Sequence, residues 1–355
     1  MPDAWPLYQV IGPEANHPDR VKPEIAVKIF NDMVLLRTFD EKTINLQRQG
    51  RVGTFPPSLG QEAAEIGSAW ALEPEDWMAP SYRDHGALYV HGVPFSHVVL
   101  FAMGKGSSID GVARVLPSSI PISSHLPHAV GLAMAAERLN QAHIAIAYFG
   151  DGGTSEGDFH EALNFAGVFR APVIFFCQNN GWAISVPVSQ QTATPTLVQK
   201  ASAYGVFGAR VDGNDALACY QVVQEARARA LAGDGPTLIE ALTYRIGPHT
   251  TADDPARYRP LEELEQWTGA KDPIVRLQEY LEGLGILAPG EALRIRQDAT
   301  VFVNQAVDDA LNSAPVEIHS MFEHVYQTIP RGLALQREEL ERIHGAMAGK
   351  GGLHG

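Results

Sequence analysis

An aspartate and an asparagine, set one strand–helix–strand length apart, are the residues of this chain best placed to do chemistry. The aspartate is Asp151 in Gly150-Asp151-Gly152-Gly153, and the asparagine is Asn180 in Gln178-Asn179-Asn180-Gly181. A carboxylate and an amide carbonyl are hard oxygen ligands. With phosphate oxygens, a backbone carbonyl and a water they complete the octahedron that Mg2+ prefers. The glycines offer backbone N–H groups to a phosphate, and the helix expected after them adds its N-terminus. Each half also has a plain reading. Asp-Gly and Asn-Gly are common turns, and Gly233-Asp234-Gly235 repeats the triplet where a turn suffices. The paired placement favours a metal–diphosphate site.

Other candidates are weighed against this pair. Tyr82-Arg83, in APSYRDHG, offers a phenol and a guanidinium to a phosphate, or is a surface ion pair or core group. His249 lies in TYRIGPHTTADDPARYR, a loop dense in Thr, Asp and Arg that suits an ordered catalytic loop or an exposed connector. Gly153-Thr154-Ser155-Glu156-Gly157 fits the G-x-S-x-G elbow of serine hydrolases, with Asp212 and His249 available downstream. That reading lacks an oxyanion loop upstream and leaves Asp151 and Asn180 without a role. Gly104-Lys105-Gly106 lacks the Walker spacing, no G-x-G-x-x-G follows a strand, and His160-Glu161 has no second histidine at the zincin spacing.

The elements that position these residues are legible from apolar patterning. HIAIAYFG (143–150) and PVIFFCQNN (172–180) are nearly unbroken apolar runs, as in parallel strands covered on both faces. EGDFHEALNFAGVF (156–169) between them has helical spacing. Gly150 to Asn180 spans 31 residues, enough for one strand–helix–strand turn, so both loops open on one sheet edge. GARVDGND, a helix through Arg227 and Arg229, and PTLIEALTYRIG repeat the unit. Earlier helices are expected from Pro23 to Gly50, over QEAAEIGSAWAL, after Pro94 and from Pro127. The expected fold class is α/β with a mainly parallel sheet flanked by helices and a helical C-terminal region. Residues 1–22 read as an N-terminal arm and 23–345 as one domain, with its core near 80–260 and a helical tail over 261–345. Residues 346–355 read as a flexible tip.

Across 355 residues, 41 acidic side chains against 27 basic ones leave a formal net charge of −14. That excludes a nonspecific binder of nucleic-acid backbones, which needs a basic face. Two cysteines, Cys177 and Cys219, are too few for a disulfide framework or a zinc cluster. No apolar run has the length of a membrane span, and the Pro-rich, acidic N-terminus does not read as a signal peptide, so a cytoplasmic location is expected.

These residues add up to a family. GDGGTSEGDFHEALNFAGVFRAPVIFFCQNNGWAIS closely resembles the thiamine diphosphate signature. With LQRQGRVGTF, GQEAAEIG, SYRDHG, IPISSHLPHAVG, RVDGNDALACY, GDGPTLIEALTYRIGPHTTADDPARYR and VYQTIP, the chain from about residue 30 to 330 resembles the alpha subunit of the decarboxylating component of 2-oxo acid dehydrogenase complexes. The resemblance implies a thiamine diphosphate-binding fold that decarboxylates a 2-oxo acid and reductively acylates a lipoyl group. Asp151, Asn180 and the Trp182 carbonyl would hold Mg2+. Tyr82, Arg83 and the backbone at Gly152 and Gly153 would contact the diphosphate, with Gln178 where branched-chain relatives often carry an arginine. Ile120, Ile122 and Ile184 would line the cofactor, and His249 would act near its reactive carbon. Asp253, Tyr258 and Arg259 match loop positions that help present the lipoyl partner.

The implied partners are a beta subunit, in an alpha2beta2 heterotetramer, and the lipoyl-bearing acyltransferase. LPSSIPISSHLPHAVG leans the expectation toward branched-chain 2-oxo acids, with pyruvate next and an acetoin-cleaving relative third. Ser124-His125 stands where potassium-binding relatives carry Thr-Gln, so a potassium ion is not among the expectations. Thr250 stands where mitochondrial relatives carry a kinase-regulated serine. The different-class alternatives are the serine hydrolase at Ser155 and a noncatalytic subunit that keeps the fold.

Overall fold

The computed structural model describes residues 5–348 except 107, 108, 110, 111, 113, 315, 316, 318 and 324. In chain order the larger unit contains β1 (Leu7–Tyr8), α1 (Pro23–Arg48), α2 (Glu62–Ala69), β2 (Trp77–Ala79), α3 (His85–Val90), α4 (Phe95–Ala102) and α5 (Leu126–Arg138). It continues with β3 (Ala145–Gly150), α6 (Gly157–Phe169), β4 (Val173–Asn179), β5 (Trp182–Ala183), β6 (Val186–Pro187), α7 (Val188–Gln191), β7 (Phe207–Asp212) and α8 (Ala216–Leu231). Then come β8 (Thr237–Leu242), α9 (Leu261–Trp267), α10 (Pro273–Gly283) and α11 (Glu291–Leu311). Residues Met1–Leu311 form this compact unit, and Asn312–Gly355 form a second, which holds α12 (Ser320–Glu323) and α13 (Arg331–Ala348). The end of the tip expected to be flexible, 349–355, lies outside the described residues, as do residues 1–4 of the arm.

Six strands make one sheet in the order β1-β7-β8-β4-β3-β2, and every pairing is parallel. Alternation along the strands builds two layers of core. Ile146, Tyr148, Ile174, Phe176, Val211 and Ile239 face one side, packed with α1, α2, α8, α10 and α11. Ala145, Ala147, Phe149, Val173, Phe175 and Cys177 face the other, packed with α5 and α6. That two-sided burial explains why the strands read as continuous apolar runs. The connections β3–α6–β4 and β7–α8–β8 approach the middle of the sheet from opposite edges, which puts α6 and α8 on opposite faces. Such a reversal opens a crevice at the carboxyl ends of the strands.

The sequence reading and the structure differ in places. The arm expected over residues 1–22 supplies an edge strand, since Leu7 and Tyr8 pair with Arg210 and Val211. Asp215 holds the arm down, accepting from the backbone N–H groups of Val10 and Ile11 at 2.7 Å each. Outside 80–260, α1 buries Ile29, Phe30, Met33, Leu36 and Phe39 at helical spacing and α11 buries Ala299, Val303 and Val307. A five-residue 3-10 turn, Asp151–Ser155, separates β3 from α6, so α6 starts one residue later than expected.

Candidate active site

Parallel pairing puts the ends of β2, β3, β4 and β8 side by side, with Gly150 opposite Gln178 and Asn179 opposite Leu242. The loops leaving these ends enclose a cavity of about 650 Å³. The end of β2 brings Tyr82 and Arg83; β3 brings Asp151, Gly152 and Gly153; β4 brings Gln178 and Asn180; the β5 turn brings Trp182 and Ile184; and the loop after β8 brings His249. Ile120 and Ile122, ahead of α5, complete the wall. All these expected residues line one cavity. Asp253, Tyr258 and Arg259 do not line it and stand behind the His249 loop.

Asp151 is buried, and burial raises its carboxyl above the usual range, offset by the Gln191 amide and the Arg245 charge. Gln191 Nε2 donates to Asp151 Oδ2 at 2.6 Å. The Asn180 amide oxygen accepts from the Trp182 backbone N–H at 3.2 Å, and its Nδ2 donates to Gln61 Oε1 at 3.0 Å. Two glycines keep the floor open. A Cβ on Gly152 would sit 2.8 Å from the Ala183 Cβ, and one on Gly153 would sit 2.7 Å from Ser123 Oγ. Both contacts are closer than packed carbon and oxygen atoms allow. Ile184 is a β-branched residue at φ 56°, a strained conformation for its type.

Arg245, only 1% exposed, holds that strained turn. Its guanidinium donates to the Trp182 carbonyl at 3.1 Å, to the Ile184 carbonyl at 2.7 Å and to Tyr258 Oη at 3.0 Å. Tyr258 in turn donates to Asp253 Oδ2 at 2.5 Å, and the same oxygen accepts from the His249 backbone N–H at 2.8 Å. Burial works against the Asp253 charge, but the Tyr258 hydroxyl and the His249 amide hold the carboxyl below its usual range. Arg259 is buried and donates to the Arg245, Ile246 and Gly247 carbonyls. The three residues expected to present a lipoyl partner therefore brace the His249 loop from within.

His249 itself is half-buried. Burial first, and the charges of Arg83 and Arg245 next, push its imidazole down to about 4, against the pull of Asp253. Arg83 Nη2 donates to His249 Nδ1 at 3.1 Å and to the His249 carbonyl at 2.8 Å, while Nη1 donates to the Pro57 carbonyl at 2.6 Å. A guanidinium only donates, so Nδ1 is the acceptor and the ring proton sits on Nε2. Gln178 also differs from a simple phosphate ligand. Its amide nitrogen donates to Asp84 Oδ1 at 2.6 Å, and burial raises the Asp84 carboxyl to about 6.

The residues fit a metal held on a diphosphate. Among the described residues no cluster of three His, Cys, Asp or Glu side chains forms a self-sufficient metal cage. One buried carboxylate and neutral oxygens suit a hard cation that draws its other ligands from phosphate and water. Among the described residues three polar atoms of cavity-lining side chains, Gln61 Nε2, Gln178 Oε1 and Arg245 Nε, are buried without partners, as expected where a polar ligand completes part of the bonding. The hydrolase reading loses its geometry. Ser155 is exposed, no hydrogen bond joins it to a histidine among the described residues, and Asp212 pairs instead with Arg276 at 2.6 Å.

Gln61, Arg245, Gln191 and Ser123 were not singled out from sequence. Gln61 and Arg245 fall inside GQEAAEIG and ALTYRIG, segments legible as a helix start and a strand end. Their roles depend on contacts across 119 and 63 positions of chain, which no local pattern reports.

Comparison with known proteins identifies a family. The family described as dehydrogenase E1 component matches residues 31–319. The 3-methyl-2-oxobutanoate dehydrogenase subunit alpha of Mycobacterium tuberculosis is 46% identical over 344 residues, covering 94% of this chain and 92% of the relative. The pyruvate dehydrogenase E1 component subunit alpha of Staphylococcus aureus is 44% identical over 318 residues, covering 89% of this chain and 86% of the relative. No described helix is long and apolar enough to cross a membrane. The family match over most of the chain and the two relatives agree: the chain belongs to the dehydrogenase E1 component family.

Proposed function

We propose that this chain is the alpha subunit of a 2-oxo acid dehydrogenase that uses thiamine diphosphate and Mg2+ to decarboxylate a branched-chain 2-oxo acid such as 3-methyl-2-oxobutanoate. The aldehyde-level unit left by CO2 release would give up two electrons to the lipoyl disulfide of an acyltransferase as it is transferred, leaving an acyl thioester on one sulfur and a thiol on the other. The observation that carries the reading is the convergence of Asp151, Asn180, the open Gly152-Gly153 floor and the Arg83–His249 pair in one cavity. When bound, thiamine diphosphate supplies a nucleophilic carbon and an electron sink; the protein supplies orientation and electrostatics.

Asp151, Asn180 and the Trp182 carbonyl would hold the metal. The backbone at Gly152 and Gly153, with Tyr82, would receive the diphosphate. Arg83 contributes by fixing His249, which stays neutral and keeps a proton at Nε2, ready to donate a hydrogen bond to a substrate oxygen. Once covered, Ile120, Ile122 and Ile184 would exclude water from the apolar part of the site. All three are large apolar side chains exposed at the cavity mouth, which supports a beta subunit closing over it. The 46% identity to a branched-chain dehydrogenase subunit favours the branched substrate, and the 44% identity to a pyruvate dehydrogenase subunit supports pyruvate as the second reading.

The test is kcat/KM for 3-methyl-2-oxobutanoate against pyruvate, measured with the beta subunit, Mg2+ and thiamine diphosphate present. A preference for the branched acid is expected, together with little decarboxylation by the chain alone. A preference for pyruvate selects the second reading, and full activity of the isolated chain overturns the need for a partner.

A further inference from the structure

Gly152 and Gly153 bring no side chains to lock the metal-side turn; Gln191 holds it at Asp151 Oδ2 and Ser123 Oγ at the Gly153 carbonyl, at 2.6 and 2.9 Å, and a further clamp comes from residues outside the cavity lining. Lys200, on the 3-10 turn Val198–Tyr204, donates from Nζ to the Thr154 carbonyl at 2.7 Å and to Thr154 Oγ1 at 2.9 Å. The Thr154 hydroxyl, fully buried, passes the contact on by donating to the Asp151 carbonyl at 2.9 Å. The same turn also reaches the asparagine side of the site. Glu240, buried in β8, accepts from the Val198 backbone N–H at 3.0 Å through Oε2 and from Asn179 Nδ2 at 2.8 Å through Oε1. Asn179 Oδ1 then accepts from the Gly181 N–H at 3.3 Å. One turn is thus bonded, through one cation and one anion, to both loops that carry the metal-side oxygens. Neither Lys200 nor Glu240 lines the cavity.

A lysine in this place needs a reason. Its ammonium is partly withdrawn from water, which is costly for a charge, and burial lowers its affinity for the proton. Its charge lies against the Thr154 carbonyl, near the end of the Asp151–Ser155 turn, where cations favour the exposed carbonyl dipoles. Packing alone would be served as well by a methionine against the Phe159 ring, which the ammonium overlies at 5.7 Å.

We propose that Lys200 is a positioning residue for the metal–diphosphate site, setting the spacing of Asp151 and Asn180 through Thr154 and the Val198–Tyr204 turn. This rests on the metal–diphosphate reading of the cavity. The test uses the chain assembled with its beta subunit, with Mg2+ titrated at saturating thiamine diphosphate and followed by quenching of tryptophan fluorescence. Lys200→Met is expected to weaken Mg2+ binding at least about tenfold, and Lys200→Arg to stay within about threefold of wild type, the range expected when a residue orients a metal ligand from behind. Thr154→Val, which removes only the hydroxyl relay, is expected to lower Mg2+ affinity in the same direction, and carries the test if Lys200→Met fails to assemble. Unchanged Mg2+ affinity in an assembled Lys200→Met, or in Thr154→Val where Lys200→Met does not assemble, overturns the inference. A wild-type assembly that shows no saturable Mg2+-dependent quenching overturns the metal–diphosphate reading instead, so the two failures are distinguishable.

Discussion

Arg83 grips His249 twice, donating from one guanidinium nitrogen to ring Nδ1 at 3.1 Å and to the backbone carbonyl at 2.8 Å. The pair fixes a tautomer as well as a position. At pH 7 a proton–nitrogen correlation spectrum of selectively labelled protein is expected to show His249 neutral, with its proton on Nε2. A resonance pattern with the proton on Nδ1 contradicts this arrangement.

The same geometry has a pH consequence. His249 is held down at about 4, below its ordinary 6.5. A group whose folded affinity for protons is depressed binds fewer protons in the native state between those values. Stability therefore falls as pH drops from about 6.5 toward 4, and the His249 contribution is complete above that window. Arg83→Met removes one of the charges holding the imidazole down, so it is expected to raise the His249 midpoint and narrow the acid-sensitive range, read by histidine titration shifts. An unshifted midpoint contradicts the role given to Arg83.

Gly152→Ala places a methyl group against Ala183, at 2.8 Å from its Cβ. The β5 turn must give way, and overpacking of this kind costs about 1–3 kcal/mol. Cofactor affinity is expected to fall by at least tenfold, a loss of about 1.4 kcal/mol or more, measured by calorimetric titration of Mg2+ and thiamine diphosphate into the alpha–beta assembly. Wild-type affinity in this variant contradicts the floor of the site.

Arg245→Met leaves the Trp182 and Ile184 carbonyls and the Tyr258 hydroxyl without their shared donor. Unmaking bonds to a buried cation costs on the order of 2–3 kcal/mol. Ile184, strained at φ 56°, is expected to relax, increasing hydrogen exchange through residues 182–191 and around His249 together. Exchange that increases at only one of these two segments contradicts the link through Tyr258 and Asp253.

Much of this architecture was legible in the sequence because burial leaves plain marks. The runs at 143–150 and 172–180 reveal β3 and β4, and their spacing puts Asp151 and Asn180 at one sheet edge. The bracing network was not legible. Arg245 lies in a strand-like segment, and nothing local to TYRIGPH shows that its guanidinium reaches back across the sheet edge to Trp182. The 3-10 turn at Asp151–Ser155 was hidden because a glycine-rich stretch has no periodicity to read. The edge strand at Leu7–Tyr8 was missed for a different reason: two residues are too few for a pattern, and Asp215 supplies the anchoring that the arm itself lacks. Asp253, Tyr258 and Arg259 come from the resemblance as loop positions that help present the lipoyl partner; that their hydrogen bonds run to the His249 loop has no mark in the sequence.

The central claim is a metal–diphosphate site in which Asn180 takes part in 2-oxo acid decarboxylation. The most direct measurement is release of labelled CO2 from carboxyl-labelled 3-methyl-2-oxobutanoate and pyruvate by the alpha–beta assembly, wild type against Asn180→Ala. Release that requires both Mg2+ and thiamine diphosphate in the wild type, and falls to background in Asn180→Ala, is the predicted result. Release independent of metal and cofactor, or undiminished in Asn180→Ala, would contradict it.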